Sequence, residues 1–219
     1  MNPVSNSFGS AKNKSTKDNF WDNYAVKYDP FMTRLKPTYD LLIRKIITHL
    51  NKTDDVLEVA TGTGEIALSI ASHVNHVWGC DLSGEMINVA NQKLSDRGLG
   101  NIEFSIQDIC SLDFPAAKYN LVIAANILHL LENPAMALES IKKVLKPDGL
   151  LITPTFCHGQ GIKSRIISAI MSLSGFKAHQ KWSVESFKSF MLDNDFKIVE
   201  LEVIPEKIPL TFVVAAKKD

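Results

Sequence analysis

The chain has 219 residues, 24 lysines and arginines against 24 aspartates and glutamates, 45% hydrophobic residues and three cysteines. That is the composition of one globular domain long enough to bury a core without disulfides. No apolar run reaches the roughly 20 residues that span a bilayer, and the polar start lacks the apolar stretch of a signal peptide, so the default is a cytoplasmic protein.

Cys80, Cys110 and Cys157 lie far apart, which indicates neither a disulfide framework nor a metal cluster. Lys12, Lys14 and Lys17 fall in the first 17 residues, which hold no acid; without them 21 bases face 24 acids, a net charge of −3. A slightly acidic domain is poorly suited to neutralising phosphates, so nucleic acid is not the expected partner.

In chain order, residues 1–17 are polar, have no hydrophobic period and read as a disordered tail. Residues 18–219 read as a single domain, with helices over 18–53 and an α/β core over 54–219. Phe20, Trp21, Tyr24, Tyr28 and Phe31 recur at three and four, which predicts a short helix with an aromatic face. After Pro37 the series Tyr39, Leu42, Ile43, Ile46, Ile47 and Leu50 predicts a second amphipathic helix. From Asp54 short continuous apolar runs begin: Val56–Ala60, Val77–Cys80, Ile102–Ile106, Leu121–Ala125 and Leu150–Thr153. They alternate with helical segments near Glu65–Ser72, Ser83–Asp96 and Pro134–Leu145. Continuous apolarity suits parallel strands buried on both faces, and the alternation predicts a doubly wound sheet. Ser83 and Asn133-Pro134 read as helix starts, and Lys146-Pro-Asp-Gly149 as a stop and turn. An insert over 161–181 precedes a helix from Ser183 to Asn194. The last two β-rich stretches, Lys197–Ile204 and Leu210–Ala216, are joined too closely for a parallel crossover and so form an antiparallel hairpin.

The densest chemical signal is Val56-Leu-Glu-Val-Ala-Thr-Gly-Thr-Gly64, a buried strand running into a glycine turn and a helix. In open α/β sheets ligands bind at such a strand end, where Gly62 and Gly64 permit close backbone approach and Glu58 can organise the loop. Asp81, 17 residues past Gly64 at the next strand end, is placed to accept both hydroxyls of a ribose. Asp108 follows the third strand, where it is placed to accept from an exocyclic amine. Each signal has a bland alternative: a structural turn for the glycines, a loop cap for Asp108, and core packing for Met86.

Taken together these motifs resemble the class I S-adenosylmethionine-dependent methyltransferases. Glu58-Val-Ala-Thr-Gly-Thr-Gly64 looks like that family's first motif, Asp81 its ribose acid, Asp108-Ile109 its adenine pair and Asn126-Ile-Leu-His-Leu-Leu131 its motif after the fourth strand. Leu145-Lys-Pro-Asp-Gly-Leu-Leu-Ile152 is similar to its entry into the fifth strand, and the terminal hairpin fits its inserted seventh strand. Phe20-Trp-Asp-Asn-Tyr-Ala-Val-Lys-Tyr-Asp29 looks like the opening helix of the ubiquinone/menaquinone-biosynthesis and phospholipid methyltransferase group. Ala60 stands where the family has its first glycine.

The resemblance implies a Rossmann-like seven-stranded sheet of order 3-2-1-4-5-7-6, with an N-terminal helical lid. It implies S-adenosylmethionine as cofactor, held by Tyr24, Tyr28, Glu58, Ala60, Thr61, Gly62, Gly64, Asp81, Leu82, Met86, Asp108, Ile109 and Asn126. The rival readings are a nicotinamide-dependent oxidoreductase, although Ala67 stands where its third glycine belongs, and a non-catalytic adenosylmethionine-binding protein. The acceptor implied is a small molecule of apolar character, such as a quinone-like compound, phenol, thiol or amine, and the protein is expected to be a monomer or homodimer. The Asn/Asp-Pro-Pro-aromatic motif of enzymes that methylate planar amino groups is replaced by Asn126-Ile-Leu-His129. His129 and His158 are the candidate acid–base groups, each with an alternative as a structural histidine, and an activated methyl donor needs no dedicated base. The amphipathic stretch Ile162 to Leu173 carries only Lys163 and Arg165, too few for stable membrane attachment, and reads as a cover over the acceptor or a plain lid.

Overall fold

A computed structural model describes residues 21–23, 25, 28–30, 33–157, 179–205 and 209–218. Tyr24, His158, the residues 1–17 and all but the end of the 161–181 insert lie outside the described residues. Within them the strands are β1 (Asp55–Val59), β2 (His76–Asp81), β3 (Ile102–Ile106), β4 (Tyr119–Ile123), β5 (Leu145–Ile152), β6 (Thr155–Phe156), β7 (Phe196–Ile204) and β8 (Leu210–Lys217). The helices are α1 (Lys36–Ile47), α2 (Glu65–Ile70), α3 (Gly84–Arg97), α4 (Pro134–Val144) and α5 (Val184–Asp193), and residues 21–23, 25 and 28–30 are helical too.

Capping chemistry sets the helix starts. The Ser83 hydroxyl accepts from the Met86 amide, Asn133 accepts from the Met136 amide ahead of Pro134, and Ser183 forms a reciprocal box with Ser186. Helix α3 stops at Gly98, which is left-handed at φ 62°.

β1 pairs in parallel with β2 and β4, β2 with β3, and β4 with β5. β8 lies antiparallel between β5 and β7. The two-residue β6 continues the path of β5 along β8, so the eight strands occupy seven positions in the expected order. Val56, Leu57 and Val59 are all 0% exposed, so β1 is sealed on both faces, as its unbroken apolar run requires. The sheet leaves β1 in both directions, and ligand-binding crevices form at the carboxyl end of such a switch point.

Lys146-Pro-Asp-Gly149 corrects the expected stop-and-turn. Helix α4 ends at Val144, and these residues form an irregularity within β5, where Tyr119 pairs with Leu145 but Leu121 pairs with Leu150. The extra residues bulge out of the ladder. Gly149 is required there because a Cβ would lie 2.8 Å from a Leu145 methyl and 3.1 Å from the Asn120 carbonyl oxygen.

Helix α1 lies over the β1, β4 and β8 region of one face, where Leu42 and Ile46 pack with Val56, Ile204 and Phe212. Its last turn and the residues just after it are tied to the edge strand β7 through Lys45 to Glu202 and His49 to Glu200. Ile46 is 0% exposed. Ile46→Ala is therefore expected to cost about 3 kcal/mol in urea unfolding; a loss below about 1 kcal/mol would show that α1 is not docked.

Candidate functional site

The turn after β1 is built from left-handed residues. Ala60, Gly62 and Gly64 have φ of 52°, 57° and 78°. Such angles cost a non-glycine residue roughly 1–2 kcal/mol, and Ala60 bears that strain. At Gly64 the demand for glycine is also steric and internal, since a Cβ would lie 2.7 Å from the Phe104 ring. Gly62 is different: its bare face meets the Tyr28 ring, at 3.7–3.9 Å from the position of a Cβ.

Glu58 organises this turn from beneath. It is 3% exposed, and its Oε2 accepts from the Thr61 hydroxyl at 2.6 Å and from the Ala67 amide at 2.9 Å. One carboxylate thus fastens the loop and satisfies an amide in the first turn of α2, which Gly64 has no side chain to cap. Burial pushes the Glu58 carboxyl up to about 8, against the pull of Thr61 and Ala67.

Asp81 closes the other side. Its two oxygens accept from the Gly62 amide and the Ser83 amide, each at 2.9 Å. Burial raises its carboxyl above the ordinary value, and the amides of Ser83, Gly62 and Leu82 draw it back. The Gly62 bond links the ends of β1 and β2 directly. Leu82 and Ile106 are 50% and 61% exposed at the neighbouring ends of β2 and β3, an uncovered apolar pair beside the acid.

A cavity of about 360 Å³ lies between the glycine turn and the N-terminal helices, lined by Tyr28, Asp29, Tyr39, Glu58, Thr61 and Lys93 among others. Asn126, left-handed at φ 55°, donates through Nδ2 to the Tyr39 hydroxyl at 3.1 Å, and its Oδ1 is buried with no hydrogen-bond partner. Tyr28 also hydrogen-bonds Tyr39, and burial raises both phenols.

The remaining candidates are placed elsewhere. Met86 is 2% exposed in the first turn of α3 and is a core side chain. Asp108 caps the short turn Ile109–Ser111 through the Cys110 amide at 2.8 Å, and Ile109 is 7% exposed. His129 is 4% exposed, and its backbone carbonyl accepts from the amides of His179 and Gln180. It does not line the cavity. Tyr39, Asp29 and Lys93 were not singled out in sequence; Tyr39 fits the apolar period of α1, which hides its hydroxyl.

A family model described as a methyltransferase domain matches residues 56–149. A ubiquinone/menaquinone biosynthesis C-methyltransferase of Neisseria meningitidis is 34% identical over 111 residues, 49% of this chain and 45% of the relative. The phosphoethanolamine N-methyltransferase of Plasmodium falciparum is 32% identical over 119 residues, 52% of this chain and 44% of the relative. The chain thus matches about half the length of these curated relatives. A solved S-adenosylmethionine-dependent methyltransferase of Methanosarcina mazei superposes with a TM-score of 0.69 at 21% identity, covering 79% of this chain and 96% of that one.

Residues 56–149 are a methyltransferase domain, and the fold is that of a solved S-adenosylmethionine-dependent methyltransferase. S-Adenosylmethionine is the cofactor of that domain, and the geometry fits it. Asp81 stands at the end of β2, half-exposed Leu82 and Ile106 lie beside it, and the Tyr28 ring that covers Gly62 also lines the cavity over Glu58. Among the described residues no group of His, Cys, Asp or Glu is arranged to hold a metal ion.

Two outcomes test the turn of the methyltransferase domain. A carboxyl raised to about 8 in the fold and titrating near 4.5 when unfolded contributes stability that is full below pH 4.5 and is lost as the pH rises through 8. Glu58→Gln keeps a carbonyl acceptor without ionising, so it should flatten that decline by on the order of 5 kcal/mol in pH-dependent chemical unfolding; parallel profiles for both proteins would refute the assignment. Ala60→Gly relieves the left-handed strain and should raise stability by about 1 kcal/mol, read as a higher urea midpoint at unchanged slope.

Proposed function

We propose that this methyltransferase domain methylates a small acceptor with an apolar body, which enters beneath the N-terminal helices. The observation that carries this reading is the cavity itself. Tyr28, Tyr39, Ile43 and Ala125 give it apolar walls beside the charged Asp29, Lys36, Asp40, Glu58, Glu65 and Lys93, and it adjoins the glycine turn. When bound, S-adenosylmethionine supplies a methyl group already activated on a sulfonium. The protein's task is then alignment and exclusion of water. Asp81 holds the ribose, Gly62 admits close backbone approach, and Glu58 lies beneath the cationic end. Tyr39 and Asn126 present polar atoms at the acceptor side, where the unpartnered Oδ1 of Asn126 offers a hydrogen-bond acceptor. His129, buried away from the cavity, is not needed in this scheme. The two relatives named above carry C- and N-methyltransferase names, so the shared core is compatible with more than one acceptor atom.

The test is adenosylhomocysteine release across a panel of phenols, thiols, amines, quinone precursors and lipids, paired with calorimetry of the cofactor. Turnover should favour planar, mostly apolar acceptors. Asp81→Ala should weaken cofactor binding about 100-fold, since two charge-assisted hydrogen bonds are lost. Tight cofactor binding without release on any acceptor would leave a binding protein in place of an enzyme, and unchanged affinity in Asp81→Ala would remove the ribose assignment.

A further inference from the structure

Three separate parts of the chain meet at one carboxylate. Asp29 Oδ1 accepts from the Thr63 hydroxyl at 2.7 Å, and its Oδ2 pairs with the Lys93 ammonium at 2.6 Å. Lys93 also reaches the Thr63 hydroxyl at 3.1 Å and Glu65 at 3.7 Å. Thr63 sits in the glycine turn between Gly62 and Gly64 and is 1% exposed, while Lys93 belongs to α3, the helix that follows the ribose acid. The Asp29 and Lys93 side chains are 39% and 21% exposed, and both line the cavity. Asp29 is the immediate neighbour of Tyr28, whose ring lies against Gly62. A second acid of the same N-terminal region, Asp22, accepts from the Ser83 hydroxyl at 2.6 Å, at the start of α3.

We propose that Asp29 and Lys93 are a positioning couple, tied through Thr63 to the glycine turn, that holds Tyr28 against Gly62 and thereby sets the affinity of the domain for S-adenosylmethionine. An exposed ion pair usually contributes little. This one differs in kind. Its three groups cross-link the N-terminal helical residues, the cofactor turn and α3, and the hydroxyl between them is buried. Loss of the pair therefore unties the backbone beside Tyr28 from Thr63 and α3, while Glu58 and Asp81 still hold the turn. The effect falls on a binding surface before it falls on the fold, whose core lies elsewhere. Lys142 supplies the comparison: it pairs with Glu139 and Asp195 on the surface and has no link to the turn.

The inference rests on the cofactor reading, and the experiment separates the two. Adenosylhomocysteine, the stable product, is titrated by calorimetry into the wild-type chain, Asp29→Asn, Lys93→Met, the charge-swapped double variant Asp29→Lys/Lys93→Asp, and Lys142→Met. Each single change at the couple should weaken binding about tenfold, the size of coupling seen in partly buried networks. The swapped pair should recover most of that loss, and Lys142→Met should leave it unchanged. In a Tyr28→Ala background Asp29→Asn should have no further effect, because the tyrosine through which it acts is gone. Thermal unfolding of each variant isolates a purely structural role: lowered midpoints with unchanged affinity would overturn the proposal, as would failure of the swap to recover binding. Absence of binding by the wild-type chain would overturn the cofactor reading, and this inference with it.

Discussion

The site depends on a carboxylate buried where the central strand ends. Glu58 has left water at the last residue but one of β1, and the two hydrogen bonds it accepts there are from the turn and from the helix that follows. A buried acid must be satisfied or protonated, and these bonds are what the strand–turn–helix junction offers. The same bonds fix the Ala60–Gly64 path, which presents the Gly62 amide to Asp81 and the bare face of Gly62 to Tyr28. Asp81, the turn and its aromatic cover are therefore not independent features. They are successive consequences of one anchored turn.

Part of the backbone strain follows the same geography. Ala60, Gly62 and Gly64 adopt positive φ at the end of β1, and Asn126 does so just past β4, the parallel neighbour of β1, whereas Ala117 and Asp195 do so in turns that enter β4 and β7. β1 and β4 flank the point from which the sheet grows both ways. Left-handed residues there turn the chain sharply away from the strand ends and leave a crevice between the departing loops. Ala60 and Asn126 show that the conformation is imposed by the surroundings, since neither residue favours it as glycine does.

Much of this was legible in the sequence because it is local. Continuous apolar runs marked the parallel strands, Ser83 and Asn133 marked their helices, and the glycine turn with Asp81 marked the switch point. The bulge in β5 was not legible: Lys-Pro-Asp-Gly has the chemistry of a turn, and only the flanking pairs, Leu145 with Tyr119 and Leu150 with Leu121, carry the strand across it. Gly64 read as space for a ligand, whereas Phe104, forty residues on, takes up that space. Asp29, Thr63 and Lys93 meet across 34 and 30 residues of chain, a separation over which no spacing rule operates. Tyr39 carried both readings at once, as an apolar body in the period of α1 and a hydroxyl that reaches Asn126.

The family match covers residues 56–149, which hold the glycine turn, Asp81, Asp108 and Asn126. Tyr28, Asp29, Tyr39 and Ile43, which wall the cavity from the other side, all precede it. The division has a physical basis. A cofactor common to many enzymes imposes the same hydrogen-bond geometry on each, so its half of the site is written in short motifs with fixed spacing. An acceptor is met by the shape and polarity of whatever packs across the crevice, and a helix such as α1 can exchange those side chains while Leu42 and Ile46 keep it docked. Relatives named for different methylated atoms fit such a division, and in the reading proposed above the side chains that precede residue 56 select the acceptor.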